Sequence, residues 1–148
     1  MTVYLDTSVL VPYYSPERLS EACEQLIVSQ QQRPAISDLC EIEMFSALAR
    51  KVRMGEIEPR DANLVKALFR SHLDGSAFRR LPVERRHYRV AAEWLGRFTT
   101  PLRTLDALHL ACASLAGFSL ATSDLALARS APEMGIEVVL VALGTGEA

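Results

Sequence analysis

The sequence contains no long apolar run and few cysteines. No apolar stretch approaches the roughly 18 residues that cross a bilayer, and the first residues resemble a strand rather than a signal peptide. We therefore expect a cytoplasmic protein without membrane association. The three cysteines are odd in number and far apart, and each lies in a helical apolar pattern. This pattern favours buried thiols and indicates neither a disulfide framework nor a zinc site.

Lysine is also scarce, because the 16 basic residues comprise fourteen arginines and only two lysines. The formal net charge is −2, which is low for a nucleic-acid enzyme, but the arginines are unevenly distributed. The segment 79–103 contains seven arginines against two glutamates. Such a segment permits a phosphate-binding face, although a solvated arginine-rich helix fits it equally well.

The chain of 148 residues, 49% of them hydrophobic, is of the usual size for a single domain. We expect one domain over 1–148, with a frayed tail from about 143. Strands are predicted at 3–5, 35–37, 78–81, 118–121 and 136–141, and helices at 9–14, 16–30, 39–54, 58–74, 84–98, 105–117 and 124–135. Short apolar strands that alternate with longer helices predict parallel βαβ units, and hence an α/β sheet covered on both faces.

Four acidic residues lie where a solvated side chain is not expected. Asp6 ends the first strand, Glu43 lies early in the third helix, Asp106 lies in the first turn of an almost wholly apolar helix, and Asp124 follows another strand. A carboxylate among buried apolar neighbours is costly unless it is paired, hydrogen-bonded or bound to a cation. Parallel sheets place their ligands at the carboxyl ends of the strands, so we expect these acids to converge on one acidic pocket there.

A cluster of carboxylates suits magnesium, which takes one or two protein carboxylates together with waters and phosphate oxygens. A bound ion activates water for attack on phosphorus, so no histidine base is required, and a second ion can enter with substrate. Each acid also has a structural explanation. Asp6 and Asp124 can cap helices, and Glu43 can pair with an arginine. Asp106 is harder to explain in this way, because Thr104 is available as the helix cap.

Four segments of the sequence resemble the PIN-domain nucleases, and among them the VapC toxins of bacterial toxin–antitoxin pairs. They are Val-Tyr-Leu-Asp-Thr-Ser-Val-Leu at 3–10, Glu-Met-Phe-Ser-Ala-Leu at 43–48, Leu-Asp-Ala-Leu-His-Leu-Ala at 105–111 and Leu-Ala-Thr-Ser-Asp at 120–124. Each motif alone is weak, but their order and spacing are specific. The resemblance extends from residue 3 to about residue 141.

The resemblance implies a three-layer α/β/α domain with a central parallel sheet and a magnesium- or manganese-dependent endoribonuclease. It also implies an RNA substrate and inhibition by a small antitoxin protein. The catalytic and metal-binding roles that it implies fall on Asp6, Glu43, Asp106 and Asp124. The hydroxyl groups that it places in support of the metal site belong to Thr7, Ser8 and Thr122.

Glu41 and His109 lie close to these acids in the sequence. Glu41 and Glu43 lie about 200° apart around a helix, so only one can face the site, and the Ser-Ala-Leu that follows favours Glu43. His109 lies one helical turn after Asp106 and can reach the site, although a packed helical histidine is the commoner case. Tyr13 and Tyr14 can stack on bases, but core or interface positions are more usual for such residues.

Other functions fit the sequence less well. A phosphatase of the haloacid dehalogenase type also begins with an apolar strand and Asp, but its second Asp is replaced by Ser8. A histidine-driven ribonuclease would use His72, His87 and His109, and it would be insensitive to chelators. A non-catalytic PIN-like module that binds RNA or protein is the alternative from a different class.

The excess of apolar residues on the helices at 39–54 and 84–98 also predicts a homodimer.

Overall fold

The computed structural model describes residues 1–144. The expected fraying of the tail therefore falls largely on residues 145–148, which lie outside the described residues. In chain order the elements are β1 (Val3–Leu5), α1 (Thr7–Tyr14), α2 (Ser20–Val28), β2 (Ala35–Ser37), α3 (Asp38–Arg53), α4 (Pro59–Asp74), β3 (Arg79–Leu81), α5 (Arg85–Gly96), α6 (Thr104–Ala116), β4 (Ser119–Thr122), α7 (Leu125–Ser130), a 3₁₀ helix (Ala131–Met134) and β5 (Val138–Leu140).

The five strands form one sheet in the order β3-β2-β1-β4-β5, and every neighbouring pair is parallel. The register pairs Tyr4 with Ala35 on one side of β1 and with Leu120 on the other. The central strand β1 is buried along its whole length, as its apolar sequence predicts for a parallel strand covered on both faces. The expected α/β class with a parallel sheet is confirmed.

The helices cover both faces of this sheet. The chain moves from β1 to β2 and β3 in one direction and then crosses to β4 and β5 on the other side of β1. Because parallel crossovers are right-handed, α1 to α4 lie on one face and α5 to α7 on the opposite face. Helix α1 accordingly packs on α2 and α3, whereas α5 packs on α6. The result is the three-layer α/β/α arrangement.

Helix α6 is central to its layer. Its residues 107–113 are buried without interruption, in agreement with a sequence that is apolar on most faces. It ends at Gly117, whose positive φ of 72° lets the amide reach back to the last carbonyl groups.

The three cysteines are buried and free. Within the described part of the chain, no helix is long and apolar enough to span a membrane.

Several boundaries differ from those that the sequence predicts. Helix α2 begins at Ser20 rather than near Pro16, because the Ser20 hydroxyl accepts the Glu17 amide at 2.7 Å and holds a turn before the helix. Thr104 was expected to cap α6 but forms its first residue, and Asp38 likewise forms the first residue of α3; neither helix has a side-chain capping bond at its start. The last strand is shorter than predicted and covers Val138–Leu140.

Gly117 provides a test of the conformation that ends α6. A Cβ at this position meets no other atom within 4 Å, so strain in the left-handed backbone is the main cost of a side chain. We expect Gly117→Ala to lower the free energy of unfolding by about 1 to 2 kcal/mol. Gly96→Ala, in the last turn of α5 with equal space and no positive φ, should raise it by up to about 1 kcal/mol. Urea unfolding measures both; a loss of stability in both variants would contradict this explanation.

Candidate active site at the carboxyl ends of β1 and β4

The sheet has its topological switch point between β1 and β4. These two strands are neighbours, but the chain leaves them toward opposite faces, which opens a crevice at their carboxyl ends. Asp6 directly follows β1, and Asp124 lies two residues after the end of β4. Asp106 lies in the first turn of α6 and Glu43 early in α3, each helix beginning at the same edge of the sheet.

Asp6 is the most buried of the four acids, with 4% of its surface exposed. Its Oδ1 accepts the Ser8 amide at 3.1 Å and the Ser8 hydroxyl at 2.5 Å, and its Oδ2 accepts the Thr122 hydroxyl at 2.7 Å. The bond from the Ser8 amide caps α1. Burial raises the pKa of Asp6 above its ordinary value, and the hydrogen bonds from Ser8 and Thr122 oppose that rise.

The two supporting hydroxyl groups also bind the chain that follows β4. The Ser123 amide donates to Ser8 Oγ at 2.9 Å, and the Asp124 amide donates to Thr122 Oγ1 at 3.0 Å. Each hydroxyl therefore receives one backbone amide and donates its own proton to Asp6. This arrangement ties the end of β4 to the end of β1 and orients the carboxylate between them.

Asp106 and Asp124 are half-buried beside Asp6. Asp124 accepts the Ala126 and Leu127 amides at 2.9 and 3.2 Å, so it caps α7 as its position in the sequence allowed. Burial raises the pKa of Asp106, and the charge of Asp124 raises it further. The charge of Asp124 also contributes to the raised pKa of Asp6. These three carboxylates therefore lie within electrostatic reach of one another.

Glu43 faces the crevice, and Glu41 does not. Glu43 Oε1 accepts the Thr7 hydroxyl at 2.8 Å and is hydrogen-bonded to His109 Nε2. Burial raises the pKa of Glu43, but the bond to His109 and the charge of that ring outweigh burial, and the pKa is lowered. Glu41 instead pairs with Arg80 on the surface at 2.9 Å. The choice of Glu43 from the sequence agrees with this geometry.

His109 was only a weak candidate from the sequence, and the structure places it among the acids. Its charge lowers the pKa of Asp6, Glu43 and Asp106. Burial lowers the pKa of His109 itself, whereas the neighbouring Cys40 and Glu43 side chains outweigh burial and raise the pKa to about 10. The spacing of one helical turn from Asp106 was the only sequence signal for this residue.

A cleft of about 840 Å³ opens beside Glu43. Its walls come from α1, the loop before α2, α3 and the first turn of α6. Three basic side chains line it, namely Arg18, Arg50 and Lys51. Lys51 is paired with Glu17 at 2.5 Å. Glu17, Glu43 and Glu56 line the same cleft, so its walls carry acidic as well as basic side chains.

The oxygen donors suit a hard divalent cation, although they do not form a closed cage. Within residues 1–144, no three His, Cys, Asp or Glu side chains are grouped so that they could hold an ion together. Glu43 in particular turns one oxygen toward Thr7 and His109. This differs from the expectation that all four carboxylates hold the ion. A site with few direct protein ligands still fits magnesium, which keeps several waters.

The sequence matches the model of the PIN domain family over residues 3–131. Compared with the curated proteins, it has no significant match.

Three solved structures resemble the whole chain. A toxin–antitoxin complex from Klebsiella pneumoniae is 18% identical, with a TM-score of 0.67 over 95% of this chain and 98% of that chain. VapC20 of Mycobacterium tuberculosis, described as a toxin that cleaves the sarcin–ricin loop, is 19% identical, with a TM-score of 0.69 over 86% and 94%. DNA-bound VapBC from Salmonella typhimurium is 16% identical, with a TM-score of 0.67 over 96% and 99%. Sequence identities this low show only that the fold is shared. The family match, in contrast, covers most of the sequence, and the chain therefore belongs to the PIN domain family.

Proposed function

We propose that this protein is a metal-dependent endoribonuclease and the toxin of a toxin–antitoxin pair. The observation that carries the proposal is the grouping of Asp6, Asp106 and Asp124 at the switch point, where burial and the charge of Asp124 raise the pKa of both Asp6 and Asp106. Among residues 1–144, no lysine or arginine forms an ion pair with any of these acids. The charges of His109 and Arg103 offset this repulsion only in part, since the pKa of Asp6 and of Asp106 stays raised, so the cluster has a use for a further cation.

Magnesium or manganese would be held by the Asp6, Asp106 and Asp124 carboxylates and by Glu43, directly or through water. The ion supplies the acidity that makes a bound water nucleophilic and stabilises charge on the phosphate oxygens. Ser8 and Thr122 orient Asp6, and Thr7 and His109 orient Glu43. The protein thus contributes a fixed set of oxygen atoms rather than a general base of its own.

The cleft next to these acids offers contacts for a polynucleotide. Arg18 and Arg50 line it, and phosphate groups are the natural partners of guanidinium groups at such a surface. RNA as the substrate follows the family resemblance and the ribosomal RNA loop that the Mycobacterium tuberculosis relative is described as cleaving. A toxin of this kind acts on RNA in the cytoplasm.

Cleavage is expected to require magnesium or manganese and to leave a 5′-phosphate and a 3′-hydroxyl, because a water and not the ribose 2′-hydroxyl attacks phosphorus. Asp6→Asn and Asp106→Asn should each reduce turnover roughly a thousandfold, since metal assistance supplies several kcal/mol. The measurement is single-turnover cleavage of a single-stranded RNA by the purified chain with manganese, followed by sequencing of the new ends.

Two controls separate this mechanism from the alternatives. A substrate with a 2′-deoxy sugar at the cut site should still be cleaved, whereas loss of its cleavage would indicate a histidine-driven ribonuclease. EDTA should abolish activity. If neither aspartate substitution reduces cleavage, the metal site is wrong. If every class of cellular RNA remains intact with manganese present, the non-catalytic binding module replaces the nuclease.

The stability of Asp6→Asn tests whether this acid serves function or folding. Asn caps a helix as well as Asp does, so the cap of α1 survives the change. Because the folded state raises the pKa of Asp6 above 3.8, its stabilising contribution is present below that pH and is lost as the pH rises through the folded pKa. The asparagine variant avoids this loss. Its free energy of unfolding relative to wild type should therefore increase from about pH 4 to neutrality in EDTA.

Asp61→Asn, at an exposed site in α4, is the matched control. Urea unfolding across the pH range measures both variants. A variant at Asp6 that is less stable than wild type by a constant amount at every pH would show that the carboxylate is a structural group.

The antitoxin is expected to place a basic side chain among the acids. Leu105 and Leu125 are 45% and 55% exposed beside Asp106 and Asp124, so a helix or strand of a partner has apolar contacts next to the carboxylates. An inserted arginine or lysine would compete with the metal, and the two would exclude one another. A neighbouring gene should encode this short protein, with a DNA-binding part and a basic tail.

Co-expression with that protein should restore growth and give a stable complex. Replacing its inserted basic residue with Ala should weaken inhibition more than binding, since apolar contacts supply much of the affinity. Cleavage assays and calorimetry give the two quantities. Equal losses in inhibition and binding would argue that the partner blocks the cleft without entering the acid cluster.

We also propose that the protein forms a homodimer. Helix α3 leaves Ile42 67% exposed, and Tyr88 of α5 is 54% exposed. Phe98, just after α5, is 92% exposed. Large apolar side chains on these helices are suited to contact with a second copy of the chain.

A further inference from the structure

A line of hydrogen bonds connects the buried strand β1 to Glu43 at the cleft. The Tyr4 hydroxyl lies 2.7 Å from Ser37 Oγ and 2.6 Å from His109 Nδ1. The other ring nitrogen, His109 Nε2, is hydrogen-bonded to Glu43 Oε1. Tyr4 has no exposed surface and His109 has 3%, so these bonds form away from water. Bonds in such surroundings are stronger than bonds in solvent.

Both nitrogens of the His109 ring are therefore engaged, each by a different element of the fold. With a neutral ring, Ser37 donates to Tyr4, Tyr4 donates to Nδ1, and Nε2 donates to Glu43. With a charged ring, Nδ1 donates to Tyr4, which donates to Ser37, and Nε2 again donates to Glu43. The ring has the same orientation in both cases. Rotating it breaks two buried bonds at once.

The bonds from Thr7 and His109 hold the carboxylate group of Glu43 in one orientation. Oε1 accepts both Thr7 and His109, whereas Oε2 has no hydrogen-bond partner among residues 1–144. Glu43 lines the cleft, and 25% of its side chain is exposed. Because the two oxygens of a carboxylate lie on opposite sides of its axis, holding Oε1 against the buried ring leaves Oε2 for the cleft.

We propose that His109 is a positioning residue, oriented by Tyr4, that directs Glu43 Oε2 toward the divalent cation or one of its waters. The inference rests on the proposed metal site. It assigns His109 a role beyond packing, since an apolar side chain of similar size would fill the same space without bonding to Tyr4 or Glu43. Side chains that orient the ligands of a metal commonly affect its affinity as strongly as a ligand does.

Two substitutions of His109 separate its two bonds. Gln places an amide nitrogen at the position of Nε2 and keeps a donor for Glu43, whereas Asn places its amide at the position of Nδ1 and leaves Glu43 without that donor. We expect His109→Asn to weaken Mn²⁺ binding roughly ten- to a hundredfold, and His109→Gln to recover most of this loss. Electron paramagnetic resonance of free Mn²⁺ over the full chain, without RNA, measures the affinity.

Tyr4→Phe tests the second bond, and the chain offers a matched control. Tyr14 donates to or accepts from His72 Nδ1 at 2.5 Å, the same kind of contact, and neither of these residues contacts Glu43. Tyr4→Phe should weaken Mn²⁺ binding, and Tyr14→Phe should leave it at the wild-type value. Equal affinities in His109→Asn and His109→Gln, or in Tyr4→Phe and Tyr14→Phe, would overturn the positioning role.

A proton spectrum distinguishes this failure from a failure of the metal site. The bonded ring proton of His109 should resonate far downfield in wild type, and Tyr4→Phe and Glu43→Ala should each shift or remove it. If wild type binds Mn²⁺ no better than Asp6→Asn does, the proposed metal site is wrong. The spectrum then still decides whether His109 orients Glu43, because a resonance unchanged by both substitutions would refute the positioning role.

Discussion

The burial of the Asp6 carboxylate is the constraint on which the other features of this site depend. A carboxylate with so little contact with water is tolerated only when hydrogen bonds replace its hydration. Those bonds come from Ser8, in the first turn of α1, and from Thr122, the last residue of β4. The Ser8 donor is local, whereas the Thr122 donor is available because β1 and β4 are parallel neighbours. The order of the strands, the start of α1 and the support of the site are therefore one arrangement.

Most of the fold follows from short-range patterns in the sequence. Short segments between the amphipathic helices identified the five strands, and the alternation of strands and helices implied that they are parallel. The helix starts were less predictable. Ser20, Asp38 and Thr104 all belong to residue types that cap helices, yet each forms the first residue of its helix, and the Ser20 hydroxyl bonds to the turn before α2 instead.

The site residues whose position depends on local backbone geometry could be predicted from the sequence. The helical periodicity separated Glu43 from Glu41, and the ends of strands pointed to Asp6 and Asp124. Tyr4 was not identified, because in the sequence it is only one member of an apolar strand. Its partner His109 lies 105 positions away, and only the packing of α6 on the sheet brings the two together. From the sequence, a packed histidine and a site histidine are alternatives, whereas His109 is both buried and bonded to Glu43.

The choice of supporting groups explains how the acids can remain available to a cation. Hydroxyl groups and one imidazole hold them in place, and among residues 1–144 no arginine forms an ion pair with them of the kind that Arg80 forms with Asp38 and Glu41. A fixed guanidinium among Asp6, Asp106 and Asp124 would stabilise the fold but would neutralise the charge that attracts a metal. The hydroxyl donors of Ser8 and Thr122 orient Asp6 while leaving its charge in place. The chain thus retains the electrostatic cost of clustered acids, and that cost decreases when a cation binds, whether it is a metal ion or the basic side chain of a partner.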